Sequence, residues 1–130
     1  MQKRSWASLI FAGLVLVSGS VLVAHHSVSA EFDVTKKIEF TGTVKKVEWM
    51  NPHIYTNVET KDESGKVVTY RVEGGAPNAL FRSGWRADSL KPGDTVKVSG
   101  NKAKSPTSMN VGQATISTAD GKRYFSGTNQ

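Results

Sequence analysis

The stretch IEFTGTVKKVEW, residues 38–49, decides the fold. Ile38, Phe40, Val44, Val47 and Trp49 alternate with polar residues, and the phase slips by one across Val44-Lys45-Lys46-Val47. A period of two puts alternate side chains on opposite faces of a strand, and a slip of one residue is what a bulge in a long, bent strand requires. Asn51-Pro52 then ends the strand, because proline has no N–H for a ladder bond.

Reading downstream, residues 54–60 form a second strand, with Ile54, Thr56 and Val58 on one face and Tyr55, Asn57 and Glu59 on the other. Residues 61–65 (KDESG) are a hairpin turn, and residues 66–73 its partner strand, rich in β-branched and aromatic side chains. Gly74-Gly75 breaks the sheet, and Pro77 suits the first position of a helix, where a missing N–H costs nothing. That helix is short: Leu80 and Phe81 are expected to face the core, Gly84 fits a left-handed position after the last turn, and Trp85 folds back onto it. Residues 91–94 (KPGD) turn, residues 95–100 are a strand, residues 101–110 a polar loop and residues 111–118 another strand. Asp120-Gly121 signals a hairpin into a last short strand, residues 122–125. Three meandering strands, a helix and two more strands predict an all-β fold with one short helix, a five-stranded OB-like barrel over residues 38–125; another small β-barrel or a sandwich is the alternative. An extended arm, residues 25–37, precedes it, and a frayed tail, residues 126–130, follows.

Upstream the texture is different. Lys3 and Arg4 precede the apolar run LIFAGLVLV, residues 9–17, which Ser18-Gly19-Ser20 interrupts before residues 21–24 (VLVA). Positive, apolar, small is the order of a secretory signal peptide, expected here over residues 1–24. The apolar stretch falls short of the ~20 residues that cross a bilayer, so no membrane anchor is expected after cleavage. Cleavage after Ala24 fits the distance from the apolar run and exposes His25-His26-Ser27; cleavage after Ala30 fits the small-x-small rule better. The expected location is periplasmic or secreted.

The whole chain has 130 residues, no cysteine, 38% hydrophobic residues and a net charge of +6 from 17 basic and 11 acidic side chains. One domain accommodates that length. Without cysteine there is no disulfide, CxxC redox chemistry or thiolate metal site. The basic pairs Lys36-Lys37 and Lys45-Lys46 are spread among acids, and export removes most nucleic acid from reach, so a nucleic-acid partner is disfavoured.

Several segments together carry a family resemblance: His25-His26-Ser27, Phe40-Thr41-Gly42-Thr43-Val44, residues 47–53 (VEWMNPH), residues 73–80 (EGGAPNAL), Gly84-Trp85 and residues 90–94 (LKPGD). In their order and spacing the chain resembles a family of short exported bacterial proteins classed as a domain of unknown function. The resemblance implies cleavage before His25 and a single domain, and it implies no activity. Val28 departs from it, since a large aromatic often follows His-His-Ser in that family.

The chemistry-bearing residues are few. The histidines are His25, His26 and His53. With cleavage after Ala24, the α-amine and imidazole of His25 close a chelate, and His26 or His53 adds a nitrogen; such a set suits Cu(II) first and Ni(II) or Zn(II) next. On an OB-like barrel, strands two and three and the loop before strand two form a ligand face. Trp49, Asn51, Pro52, His53 and Tyr55 are therefore the candidate ligand-binding residues. Phe81 and Trp85 are assigned to the core. No G-x-S-x-G, H-E-x-x-H or P-loop is present, and Asp62-Glu63 sits in a hairpin turn. A binding or interaction module for a small molecule or periplasmic protein is the expectation, a copper-binding protein the alternative, and a copper-dependent oxidase the least favoured reading.

Overall fold

The computed structural model describes residues 30–125. Six strands and one helix follow in the order β1 (Phe32–Glu48), β2 (Tyr55–Lys61), β3 (Val67–Glu73), α1 (Pro77–Arg82), β4 (Thr95–Ala103), β5 (Asn110–Thr118) and β6 (Arg123–Phe125). The fold is all-β with one short helix, as expected. The expected signal peptide over residues 1–24, His25 and His26, and the expected tail, residues 126–130, lie outside the described residues. Among the described residues no helix is long and apolar enough to cross a membrane.

The phase slip in the opening stretch is a bulge. Val44 pairs with Val58 and Lys46 with Asn57, which leaves Lys45 as the extra residue. Before the bulge, β1 pairs with β4 from Ile38↔Gly100 to Thr43↔Thr95; at Thr43 it also meets Glu59 of β2, with which it continues. The bend thus hands one strand from one partner to another. The sheet order is β3-β2-β1-β4-β5-β6, and β3 also pairs with β5 in parallel through Arg71↔Asn110 and Val72↔Val111. Each of the five long strands therefore has a hydrogen-bonded neighbour on both sides.

Inward positions form one core. Val44, Ile54, Val58, Val72, Val96, Val98, Val111 and Ile116 are buried, joined by Leu80, Trp85 and Leu90. Each such side chain contributes about 1.5–3 kcal/mol relative to staying in water. The expected face Ile54/Thr56/Val58 is buried throughout. Tyr70 packs on this core from β3 against Phe40, ring centroids 4.6 Å apart.

Helix α1 starts with Pro77 and ends as the glycine predicts. Trp85 N donates to Leu80 O at 2.9 Å, Gly84 N to Phe81 O at 3.1 Å, and Gly84 takes φ +93°. Trp85 folds back onto Leu80 in the core. Phe81, however, is 55% exposed, which corrects its assignment to the core. Neighbouring helix positions point about 100° apart, so in a single short helix Leu80 takes the inward direction and Phe81 leaves it. Arg86 covers the Phe81 ring at 3.9 Å and donates to the carbonyls of Phe81 and Trp85.

Two boundaries differ from expectation for one reason. β1 begins at Phe32, inside the expected arm, and β4 runs on through Asn101 to Ala103, inside the expected polar loop. The two extensions pair with each other, Phe32↔Ala103 and Lys37↔Asn101. Asn101 is buried, yet its amide is satisfied: Lys37 Nζ donates to Oδ1 and Nδ2 donates to Gln113 Oε1, both at 2.6 Å. A polar residue reads as loop unless its tertiary partners are known.

Candidate functional site

The connection from β1 to β2 spans residues 49–54. Its far end is tied down by Ile54, whose N–H donates to Gly75 O at 3.1 Å and whose carbonyl accepts from Gly74 N at 2.7 Å. Its near end is anchored by Trp49, partly buried against the core. Asn51 and Pro52, joined by a cis peptide bond, are exposed at the tip. His53 turns back to the sheet, with Nδ1 2.6 Å from Glu73 Oε1 at the end of β3. That contact orients the imidazole and directs Nε2 away from the carboxylate.

Tyr55 opens β2 on the outward face, opposite both Glu48 and Glu73. The Arg71 guanidinium lies 3.4 Å from the centre of its ring. Arg71 Nη2 also donates to Glu48 Oε2 at 3.4 Å, while Asn57 Nδ2 donates to Glu48 Oε1 at 2.7 Å. The Asn57 amide, then the Arg71 guanidinium, hold the Glu48 carboxyl below the ordinary carboxylate range against the opposing effect of burial. The Arg71 backbone N–H donates to Met109 O at 3.0 Å, tying β3 to the residue before β5.

Of the five predicted ligand-binding residues, the structure brings His53 and Tyr55 into one polar cluster with Glu48, Asn57, Arg71 and Glu73. Asn51 and Pro52 stand apart at the tip, and Trp49 turns partly inward. Two open clefts lie elsewhere: one of about 550 Å³ beside Asp94, Thr95 and Thr118, and one of about 300 Å³ beside Thr41, Thr43 and Glu59. None of the five predicted residues lines either cleft. The cluster is half-buried on the outward face of the sheet.

Sequence reasoning missed Glu48, Asn57, Arg71 and Glu73 as site residues. The signal was present, since Asn57 and Arg71 sit at outward positions of alternating strands. What joins them is cross-strand register, which alternation within one strand does not contain. For the metal reading, His53 is the one predicted ligand inside the described residues, and among these no group of three or more His, Asp or Glu side chains is placed to hold an ion.

Residues 13–112 match the profile of a family of unknown function (DUF6152), from within the apolar run of residues 9–17 to the start of β5. No curated protein and no solved structure matches the chain. With about three quarters of its length so matched, the chain belongs to the family of unknown function DUF6152.

Proposed function

We propose that the chain is an exported periplasmic binding module, a five-stranded OB-like barrel whose ligand rests on the outward face of β2 and β3 beside the loop of residues 49–54. The barrel reading is supported by the parallel β3–β5 pairing and by the helix between β3 and β4. The observation that carries the binding reading is the convergence at Arg71 of side chains from three strands, Glu48, Tyr55 and Arg71 itself, with the main chain of Met109. A guanidinium stacked on a ring and held by a carboxylate is preorganised, which lowers the ordering cost of binding. The test is the intact native mass of the protein released from its host by osmotic shock. The reading expects a chain beginning at His25 or Glu31 and a noncovalent addition that Tyr55→Ala removes. A chain still beginning at Met1 in the membrane fraction overturns export, and no added mass overturns binding.

One observation favours the copper alternative. Glu73 fixes the His53 imidazole through Nδ1, as outer carboxylates do for metal-ligating histidines, and so presents Nε2. In that reading His25 supplies its amine and imidazole, and His26 or His53 supplies the further nitrogen for Cu(II).

A further inference from the structure

We infer that the outward face of β1, β2 and β3 binds an uncharged oligosaccharide, with Asn57 and Arg71 as donors and Glu48 and Glu73 as acceptors to its hydroxyl groups. The inference rests on the binding-module reading and adds the chemical class of the ligand.

Strand register sets out the face. Lys46, Asn57 and Arg71 lie directly opposite one another, and Arg71 is opposite Asn110, so one row of donor-bearing side chains crosses four strands. The neighbouring outward row is Glu48, Tyr55 and Glu73. Side chains within a row are about 4.8 Å apart, and the rows about 6.7 Å apart, two residues along a strand. Donors and acceptors thus alternate over distances that one sugar ring spans. A hydroxyl group both donates and accepts. Two adjacent hydroxyls of a ring also match the planar fork of a guanidinium or a carboxylate.

Charge selects among polar ligands. The two rows carry the cations Lys46 and Arg71 and the anions Glu48 and Glu73, and Lys45, Glu59 and Lys61 flank them. Lys45 pairs with Glu59 at 3.5 Å and Arg71 with Glu48 at 3.4 Å. Two rows whose charges cancel offer a polyanion little attraction, so nucleic acid and acidic glycans gain little there over a neutral chain. A base also needs an aromatic platform. Arg71 already covers one face of Tyr55. A peptide or lipid would bring apolar groups to two rows whose side chains, Tyr55 apart, are polar.

Arg71 has the capacity required. Of its five N–H groups, among the described residues one donates, to Glu48 at 3.4 Å. The stacked ring and the carboxylate hold the plane of the guanidinium, and the Arg71 side chain keeps 38% of its surface exposed. Lysine keeps the charge at this position but loses the planar fork.

The experiment is an NMR titration of the 15N-labelled protein purified from the cell with cellohexaose, maltohexaose and chitohexaose, and in parallel with a galacturonate hexamer and a thymidylate dodecamer. At least one neutral hexasaccharide is expected to shift the amides of Lys46, Asn57, Arg71 and Asn110. Its affinity should be insensitive to salt and should fall about tenfold in Arg71→Lys, whose melting temperature stays near that of the parent. Stronger, salt-sensitive binding of the galacturonate or thymidylate chain overturns the uncharged class. Shifts confined to residues 49–53 and unchanged in Arg71→Lys overturn the assignment of the face but leave the binding module standing. Silence from all three neutral glycans overturns this inference alone, because the native-mass measurement decides the binding reading separately.

Discussion

Phe32 packs its ring against Gly112, so close that a methyl group at Gly112 would stand 2.5 Å from the nearest ring carbons. The first residue of β1 is thereby clamped onto β5, although the direct ladder partner of Phe32 is Ala103 of β4. Phe32 itself is 3% exposed. Its contribution is that of a core side chain lying at the very start of the sheet.

Gly112→Ala should destabilise the protein by about 1–3 kcal/mol through overpacking. Phe32→Ala should cost about 3–5 kcal/mol by emptying the same site. Denaturant unfolding of both single variants and the double variant tests the contact. Space vacated by Phe32 admits the methyl group, so the double variant should be more stable than the sum of the two losses implies; strict additivity would show that the two residues do not touch.

Val98 is fully buried in the middle of β4, opposite Phe40 and Ile116. Val98→Asp places an unpaired carboxylate there and should destabilise by about 3 kcal/mol or more. A loss below about 1 kcal/mol by chemical denaturation would contradict an inward Val98.

Acid sensitivity should trace in part to Glu48. Its carboxyl is held below its ordinary value of 4.5, chiefly by the Asn57 amide and then by Arg71. A lowered carboxyl stabilises the fold above its unfolded value, and that stability is lost as pH falls through the folded value. Melting temperatures measured from neutral pH downward should drop more steeply in the parent than in Glu48→Gln, which has no proton to take up there. Parallel curves would remove Glu48 from the acid transition.

The loop of residues 49–54, rather than the hairpin of residues 61–65, is the expected functional edge. The hairpin is closed on itself: Asp62 Oδ1 accepts from the Ser64 and Lys66 backbone N–H groups and from the Ser64 hydroxyl. His53→Ala and Trp49→Ala should impair the cellular role of the protein, and Glu63→Ala should leave it intact. A growth or complementation assay showing the reverse order would reject the loop.

Under the copper alternative, Cu(II) should raise the melting temperature, because a ligand that prefers the native state stabilises it. Acidification should weaken binding, since the coordinating nitrogens must be free of protons. An additional residue ahead of His25, or His53→Ala, should abolish the stabilisation. Equal copper affinity in the isolated peptide of residues 25–37, with unchanged melting of the whole protein, would dispose of this reading.

Local chemistry sufficed for much of this architecture. Alternation placed Ile54, Thr56 and Val58 inside. The slip at Val44-Lys45-Lys46 marked the bulge, and Pro77, Gly84 and Trp85 delimited the helix, because each depends on neighbours a few residues away. The match to a family of unknown function, too, bears out the resemblance read from the sequence. What tertiary structure alone decided are the pairings between distant segments. Lys37 and Gln113 make a buried strand residue of Asn101. Gly112 receives Phe32, drawing the expected arm into β1. Helix α1 has inward space for Leu80 and not for Phe81. The candidate site belongs to this second class. Glu48, Tyr55, Asn57, Arg71 and Glu73 come from three strands, and the register that aligns them is set by the bulge at Lys45 and the turn at Gly65, on which the period within any single strand is silent.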